Sequence, residues 1–143
     1  MPKTTKKRRE IFTLGAAALP AFLMAAPMQR EKLPDTIYGE TEAKLIKEPF
    51  GDLRIYFDGP TDQLKLMTAG SLRLKAGQSP HPPHTHPEEE FMVVTEGTGE
   101  MTVEGKVYKV GPGSMMYCAG NKSHGIVNTG KKPLLFYFYK WKA

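Results

Sequence analysis

The sequence predicts an all-β domain of antiparallel strands, folded as a sandwich or a barrel. Turn signals rich in glycine, proline and asparagine recur at short, regular intervals through most of the chain. The segments between those turns have the length and composition of strands. No stretch shows a long helical periodicity, which argues against a helical bundle or an alternating α/β fold. A chain of 143 residues is large enough for one such domain.

Eight segments between the turns are predicted to be strands. They cover residues 53–57, 64–75, 91–96, 101–104, 107–110, 114–118, 123–128 and 134–141. Two turns have the glycine pattern of hairpins, at residues 97–99 and 104–105. Residues 33–49 show only weak helical spacing around residues 42–46, and we predict an arm or a short strand there.

The last predicted strand is apolar on both of its faces. A strand covered on one side would alternate apolar and polar residues, so we expect both sides to be buried. Two arrangements would bury it equally well. It is either an internal strand of a monomeric sandwich or part of a homodimer interface.

The first 26 residues have the layout of an export signal. Basic residues precede an apolar run that is shorter than the roughly 20 residues of a membrane-spanning helix. Arg8 and Arg9, followed by one polar and two bulky apolar residues, resemble a twin-arginine signal. Cleavage after Ala25 or Ala26 fits a small-residue site, and a retained single-helix anchor is the alternative. We expect an export signal over residues 1–26, an arm and first strands over 27–63, and a barrel core over 64–143.

The net charge of +5 is concentrated at the start of the chain. Five of the 20 basic and one of the 15 acidic residues precede residue 27, which leaves 15 basic and 14 acidic residues in the body. This near-neutral body argues against a nucleic-acid or phosphate-binding surface. The lone cysteine, Cys118, excludes an intrachain disulfide.

A pair of histidines separated by one residue, His84 and His86, is the main candidate for a functional site. Residues two apart lie on the same face of a strand, so both imidazoles can point to one place. Glu90 and the remote His124 can converge with them once the barrel closes. Such a nitrogen and oxygen set suits Mn(II), Fe(II), Ni(II), Cu(II) or Zn(II), and an octahedral metal would keep two positions open.

The spacing around these residues resembles the two motifs of the cupins. Gly77, six residues, His84, one residue, His86, three residues, Glu90, six residues and Gly97 are similar to the first motif, although its usual gap from glycine to histidine is five residues. Gly113, Ala119, Asn121, His124 and Asn128 have the complete spacing of the second motif, with Ala119 in place of the usual proline and Asn121 in place of the usual glycine. Asparagine tolerates the left-handed backbone that glycine often supplies, so we expect the turn to be retained.

The resemblance implies a double-stranded β-helix, or jelly-roll barrel, that is often dimeric. It also implies that one divalent transition metal is held inside the barrel. The ligands would be His84, His86, Glu90 and His124.

The other residues near the motifs are predicted to have lesser roles. We expect His81 to be a rim or loop histidine rather than a fifth ligand, and Glu88 and Glu89 to point to solvent. A carboxylate that holds a ligand imidazole is the alternative for those two. Four apolar residues could line the cavity or simply pack in the core, and three sulfur-bearing residues could suggest copper but more often fill β-cores. The four apolar residues are Met92, Val94, Phe136 and Phe138. The three sulfur-bearing residues are Met115, Met116 and Cys118.

An open metal site in an apolar pocket suits a small organic substrate. We therefore predict an exported, periplasmic, metal-dependent enzyme of dioxygenase or decarboxylase type, with Mn or Fe favoured because a twin-arginine substrate is exported already folded. A binding module without turnover is the first alternative, since one fold hosts both classes. An isomerase is the second, although the motif lacks nearby basic residues for a sugar phosphate. No nucleic-acid partner is expected, and contact with a membrane would be transient, through the signal.

Overall fold

The computed structural model describes residues 30–143, which form nine strands and, within that range, no helix. The predicted export signal and its cleavage site lie outside the described residues. The strands are β1 (Lys44–Glu48), β2 (Gly51–Gly59), β3 (Leu66–Leu74), β4 (Glu89–Glu96), β5 (Gly99–Val103), β6 (Lys106–Val110), β7 (Met115–Cys118), β8 (His124–Val127) and β9 (Leu134–Lys142). Residues 30–143 contain no helix that is long and apolar enough to span a membrane.

All eight predicted strands are present, with ends that differ from the prediction by at most two residues. The ninth, β1, lies in the stretch that was predicted to be an arm or a short strand. The weak helical spacing in that stretch does not produce a helix, and Glu42 instead lies in a turn. Pairing with β2 explains this outcome, because β1 is hydrogen-bonded along its whole length from Lys44 to Glu48.

The strands form two antiparallel sheets of a jelly-roll fold. The larger sheet has the order β1-β2-β3-β9-β4-β7, and the smaller has the order β6-β5-β8. The first strands of the described chain therefore belong to the same sheet as the strands of the predicted barrel core. Because β4 lies in the larger sheet and β8 in the smaller, Glu90 and His124 are contributed from opposite sheets.

The hydrophobic core lies between the two sheets. The larger sheet contributes Leu74, Val94 and Leu134, which are fully buried, and the smaller contributes Met101 and Ile126. Burying one such side chain stabilises the fold by about 1.5–3 kcal/mol. The core residues Leu72, Met92, Ile126 and Phe136 share one cavity wall with His84, His86 and Glu90, so the site adjoins the core.

The last strand, β9, differs from its prediction on one face. Leu134 and Phe136 are buried towards the core, but the alternate residues are only partly covered, and Tyr139 is 40% exposed. The outer face of the larger sheet is therefore aromatic and partly open within one chain, which does not fit an internal strand of a monomeric sandwich, and the alternative of a homodimer interface stays a prediction.

Three glycines of the motifs have a left-handed backbone, as a tight turn requires, and the first of them, Gly77, has φ of 73°. Gly97 has φ of 77° and also lies against the next segment, because a Cβ atom there would be 2.4 Å from the carbonyl oxygen of Pro133. Gly113 has φ of 89°. Asn121 has φ of 62°, which confirms that asparagine takes the left-handed position where glycine is usual.

Candidate metal centre

The four residues predicted to bind metal meet at one end of the barrel. Glu90 is the second residue of β4, and His124 is the first residue of β8. His84 lies outside the named strands and joins His124 through a single antiparallel β-bridge. The expectation that His84 and His86 share one face of a strand therefore does not hold, because His84 makes only this one bridge and His86 lies in the loop before β4.

The three histidines form a compact cluster. Each offers one ring nitrogen, and these nitrogens lie within 4.8 Å of one another. The ring centroid of His124 is 5.0 Å from that of His84 and 4.8 Å from that of His86. Three imidazoles at this separation could hold one metal ion.

Backbone carbonyls determine which nitrogen of two of these rings faces the site. The Nδ1 atom of His86 is 3.0 Å from the carbonyl oxygen of Glu88, and the Nδ1 atom of His124 is 3.0 Å from that of Lys122. A carbonyl oxygen only accepts hydrogen bonds, so each Nδ1 carries the hydrogen and donates it. Metal-binding histidines are usually oriented in this way, with the second nitrogen left for the metal.

Glu90 joins the same two rings. Its Oε2 atom is 2.8 Å from Nε2 of His124 and 3.0 Å from Nε2 of His86, and the residue is only 5% exposed. Burial by itself would raise the pKa of Glu90, but the hydrogen bonds and charges of His124 and His86 together outweigh burial and leave that pKa below its ordinary value. The bond to Glu90 is also the main reason that the pKa of His124 is raised, despite burial. Without metal, Glu90 therefore favours a proton on Nε2 of His124, a nitrogen that would otherwise coordinate a cation.

His84 has a different environment. Burial is the main cause that lowers its pKa, and the nearby histidines lower it further, so this imidazole favours its neutral form. Its Nδ1 atom is buried and has no hydrogen-bond partner among the described residues. A buried polar atom without a partner is costly, and coordination of a cation is one interaction that would satisfy it. The residues present therefore fit a divalent metal bound by nitrogen and oxygen.

His81 lies next to the cluster without joining it. The ring of His81 packs edge-on against that of His84 with centroids 3.9 Å apart, while its Nδ1 contacts the carbonyl oxygen of Pro82 at 2.9 Å. His81 is exposed and does not join the nitrogen cluster, in agreement with a rim position.

Glu88 and Glu89 do not simply point to solvent. The Oε2 atom of Glu88 is 3.4 Å from Nδ1 of His86, so this carboxylate lies beside a candidate ligand. Glu89 instead accepts hydrogen bonds on the outer face of the sheet, from the Tyr117 hydroxyl at 2.8 Å and from the Trp141 indole at 2.9 Å. The alternative of a carboxylate near a ligand imidazole therefore fits Glu88 and not Glu89.

A cavity of about 210 Å³ opens onto the cluster. Its wall is mostly apolar and includes Met92, Phe136 and Phe138, for which the sequence left cavity lining and core packing both open, whereas Val94 is fully buried in the core and does not line it. Sequence reasoning missed other wall residues, which are Phe50, Leu53, Leu72, Ile126 and Lys140. The signal for Lys140 was available, because it has the same parity on β9 as the two phenylalanines.

The sulfur-bearing residues do not form a second site in the described chain. Met116 and Cys118 are buried in the core, and Met115 points away from it and is 65% exposed. Successive residues of a strand face opposite sides, so the thioethers of Met115 and Met116 do not converge. Core packing accounts for the two buried residues, as expected.

Comparisons with known proteins agree with this geometry. Residues 70–139 match the family model described as "Cupin domain". No curated protein matches the sequence.

The structure is similar to several solved structures. They include an RmlC-like cupin from Shewanella frigidimarina (15% identity, 81% of this chain and 96% of that chain covered, TM-score 0.65) and KdgF from Halomonas sp. (19% identity, 77% and 96% covered, TM-score 0.64). The polyketide cyclase RemF from Streptomyces resistomycificus is also similar (23% identity, 76% and 80% covered, TM-score 0.60). Identities at this level show a shared fold and nothing more specific.

Proposed function

Because this chain carries a small domain of the cupin superfamily, we propose that it is a metal-dependent enzyme acting on a small organic molecule. The reaction class is that of a dioxygenase or a decarboxylase. One divalent transition metal would be held by His84, His86, Glu90 and His124.

The observation that carries this proposal is the position of the imidazole cluster at the wall of an apolar cavity. Three ring nitrogens within 4.8 Å of one another line or adjoin a space of about 210 Å³, which suits a small molecule. A divalent metal bound there would act as a Lewis acid towards an oxygen atom of the substrate. One neighbour of similar fold is named a polyketide cyclase, which supports catalysis by this fold without indicating the reaction.

The protein's own residues would prepare the site for this chemistry. The carbonyl oxygens of Glu88 and Lys122 hold the rings of His86 and His124 in one tautomer, so less reorganisation is needed when a cation binds. Met92, Phe136 and Phe138 present apolar surface on the cavity side, which excludes water and contacts the apolar part of a substrate.

Turnover assays on the purified protein test this function. Oxygen consumption and carbon dioxide release are measured with catechols, flavonols, β-diketones and oxalate, for the wild type and for His86→Ala. We expect turnover by the wild type on at least one class and its loss, together with loss of metal, in the variant. A wild type that retains metal but turns over none of them would instead favour a binding module, and a wild type that retains no metal would contradict the proposal.

The proposed location is the periplasm, reached through the twin-arginine signal. Outside the cytoplasm copper and zinc prevail at nitrogen and oxygen sites by intrinsic affinity, but a protein exported already folded could carry Mn or Fe bound inside the cell. We therefore propose Mn or Fe. Metal analysis of protein purified from the native periplasm tests this, and one zinc or copper per chain would contradict it.

A homodimer is the proposed assembly. The outer face of the larger sheet exposes apolar and aromatic side chains, including Phe91 at 36%, Tyr117 at 50% and Tyr139 at 40%. A patch of this kind on one face favours association with a like surface. Light scattering on the purified protein measures the mass, and a monomer at micromolar concentration would contradict it.

A further inference from the structure

Among the described residues that line the cavity, Lys140 is the one lysine or arginine. On β9 it is paired directly with Glu90 of β4 on one side and with Thr68 of β3 on the other. Directly opposed residues of adjacent strands share a face, so Lys140 and Glu90 project to the same side of the sheet. Phe136 and Phe138 lie on that side as well, and all four residues line the cavity.

The carboxylates around Lys140 already have other partners. Glu90 is bound to His86 and His124 through Oε2. Asp58 accepts hydrogen bonds from Arg30 and Thr68, each at 2.8 Å.

Glu88 lies against His86 rather than against the lysine. Within residues 30–143, no carboxylate oxygen lies within 4.0 Å of the Lys140 ammonium. Lys140, a partly buried residue that lines the apolar cavity, thus lacks an anionic partner in the described chain.

We propose that Lys140 binds the carboxylate group of the substrate, so that the substrate class is a small carboxylic acid with an apolar body. This inference rests on the proposed function, because it places the substrate in the cavity beside the metal ligands. The apolar wall accommodates the body, while the ammonium forms a charge-assisted hydrogen bond with the acid. One lysine suits a singly charged carboxylate better than a phosphate, which proteins usually bind with several donors.

Ligand titrations on the full purified protein test this assignment. Three acids with different apolar bodies are compared with their neutral amides: benzoate with benzamide, cyclohexanecarboxylate with its amide, and hexanoate with hexanamide. We expect at least one acid to bind the wild type roughly tenfold more tightly than its amide, as one charge-assisted hydrogen bond predicts. Lys140→Gln should abolish this preference.

Lys142→Gln is the matched control, because it removes the same charge from an exposed position of the same strand that does not line the cavity. It should retain the preference for the acid. Retention of the preference in Lys140→Gln would overturn the proposal and show that the acid is recognised elsewhere, with Lys140 only covering the wall. A wild type with no preference for any acid, or with no detectable binding of any probe, would overturn it too.

Metal content, measured on the same samples, separates this proposal from the proposed function. The titrations are repeated after treatment with a chelator. If the wild type holds no metal, the proposed function fails, yet the acid and amide affinities of the metal-free protein still decide the role of Lys140. If metal is retained in all three proteins and no preference exists, the Lys140 assignment alone fails.

Discussion

His84 and His124 are joined by two backbone hydrogen bonds: the amide nitrogen of each donates to the carbonyl oxygen of the other, at 3.0 Å. This reciprocal pair makes a hydrogen-bonded antiparallel bridge between a loop and the first residue of β8. The side chains play no part in these two bonds. Two candidate ligands are therefore placed side by side by main-chain geometry, independently of the metal they would bind.

The first prediction concerns the ligand role of His84. His84→Ala should leave the fold intact, because the backbone bridge to His124 remains, but should remove one of three imidazoles. The loss in metal affinity should exceed the roughly 10–100-fold that removal of an outer-shell partner costs. Affinity is measured by competition with a chromophoric chelator, and circular dichroism monitors the fold.

His81→Ala is the matched control for His84→Ala. It removes a neighbouring exposed histidine whose ring touches His84 but whose nitrogens lie outside the cluster. Metal affinity should remain within a fewfold of the wild type. An equal loss in both variants would contradict the assignment of His81 to the rim.

The second prediction is a pH window for the stability that Glu90 adds to the metal-free protein. The pKa of Glu90 is lowered on folding, so its contribution is present above the ordinary glutamate pKa and is lost as the pH falls through the lowered value. The pKa of His124 is raised, so its contribution is full below the ordinary histidine pKa and is lost as the pH rises through the raised value. The contribution of the pair should be largest in the mildly acidic range between those limits.

Comparison with Glu90→Gln isolates this contribution from that of His84, whose lowered pKa acts in the opposite sense to that of His124. Urea unfolding of both proteins without metal gives the difference in free energy of unfolding at each pH. A hydrogen bond to a charged group contributes about 1.5–3 kcal/mol, and we expect a difference of that order inside the window and a smaller one on both sides. A difference that does not change with pH would contradict the pairing.

The third prediction concerns Asn128, a fully buried residue that links three segments. Its Nδ2 atom donates to the carbonyl oxygens of Leu74 at 3.1 Å and Lys132 at 2.9 Å, and its Oδ1 accepts from the amide of Gly130 at 2.9 Å. Asn128→Ala should cost at least about 1–3 kcal/mol, because it leaves buried backbone groups without partners. Gln78→Ala, at an exposed amide side chain in the loop that bonds to Asn128, should change the free energy of unfolding little. Equal effects in urea unfolding would contradict this role.

The fourth prediction concerns the turn at Asn121, whose amide donates to the carbonyl oxygen of His86 at 2.7 Å. Because φ is 62° there, Asn121→Val should cost about 1–2 kcal/mol and loosen the position of His86. Asn121→Gly should be close to neutral, since glycine takes this backbone readily. Thermal unfolding and metal affinity measured on both variants check the prediction. Equal stability of the valine and glycine variants would contradict it.

Much of the fold and the cluster of histidines followed from local sequence patterns. The one-residue spacing of His84 and His86 indicated that their rings could converge, although they do so from a loop and an isolated bridge rather than from a strand, and turn glycines such as Gly97 marked where strands end. The motif spacing related both to His124, forty residues away in the chain. Turn positions and motif spacing depend on short stretches of the chain. They can therefore be recognised in the sequence without knowing which strands pair.

The remaining features depend on register between strands that are distant in sequence. Glu88 and Glu89 are adjacent and chemically alike, yet one lies beside His86 and the other bonds Tyr117 and Trp141 on the opposite face. The pairing of β4 with β9 places Lys140 opposite Glu90. No local sequence pattern predicts this pairing.

The sequence by itself therefore determined an all-β chain with short strands, the left-handed turn at Asn121 and a histidine set capable of binding metal. Only the tertiary structure decided that Glu90 bonds two of those histidines, that His84 has a buried nitrogen without a partner among the described residues, and that Lys140 lies opposite Glu90. The physical reason is that strand parity is a property of each segment, whereas hydrogen bonds and burial in the site arise only when two sheets close over one core.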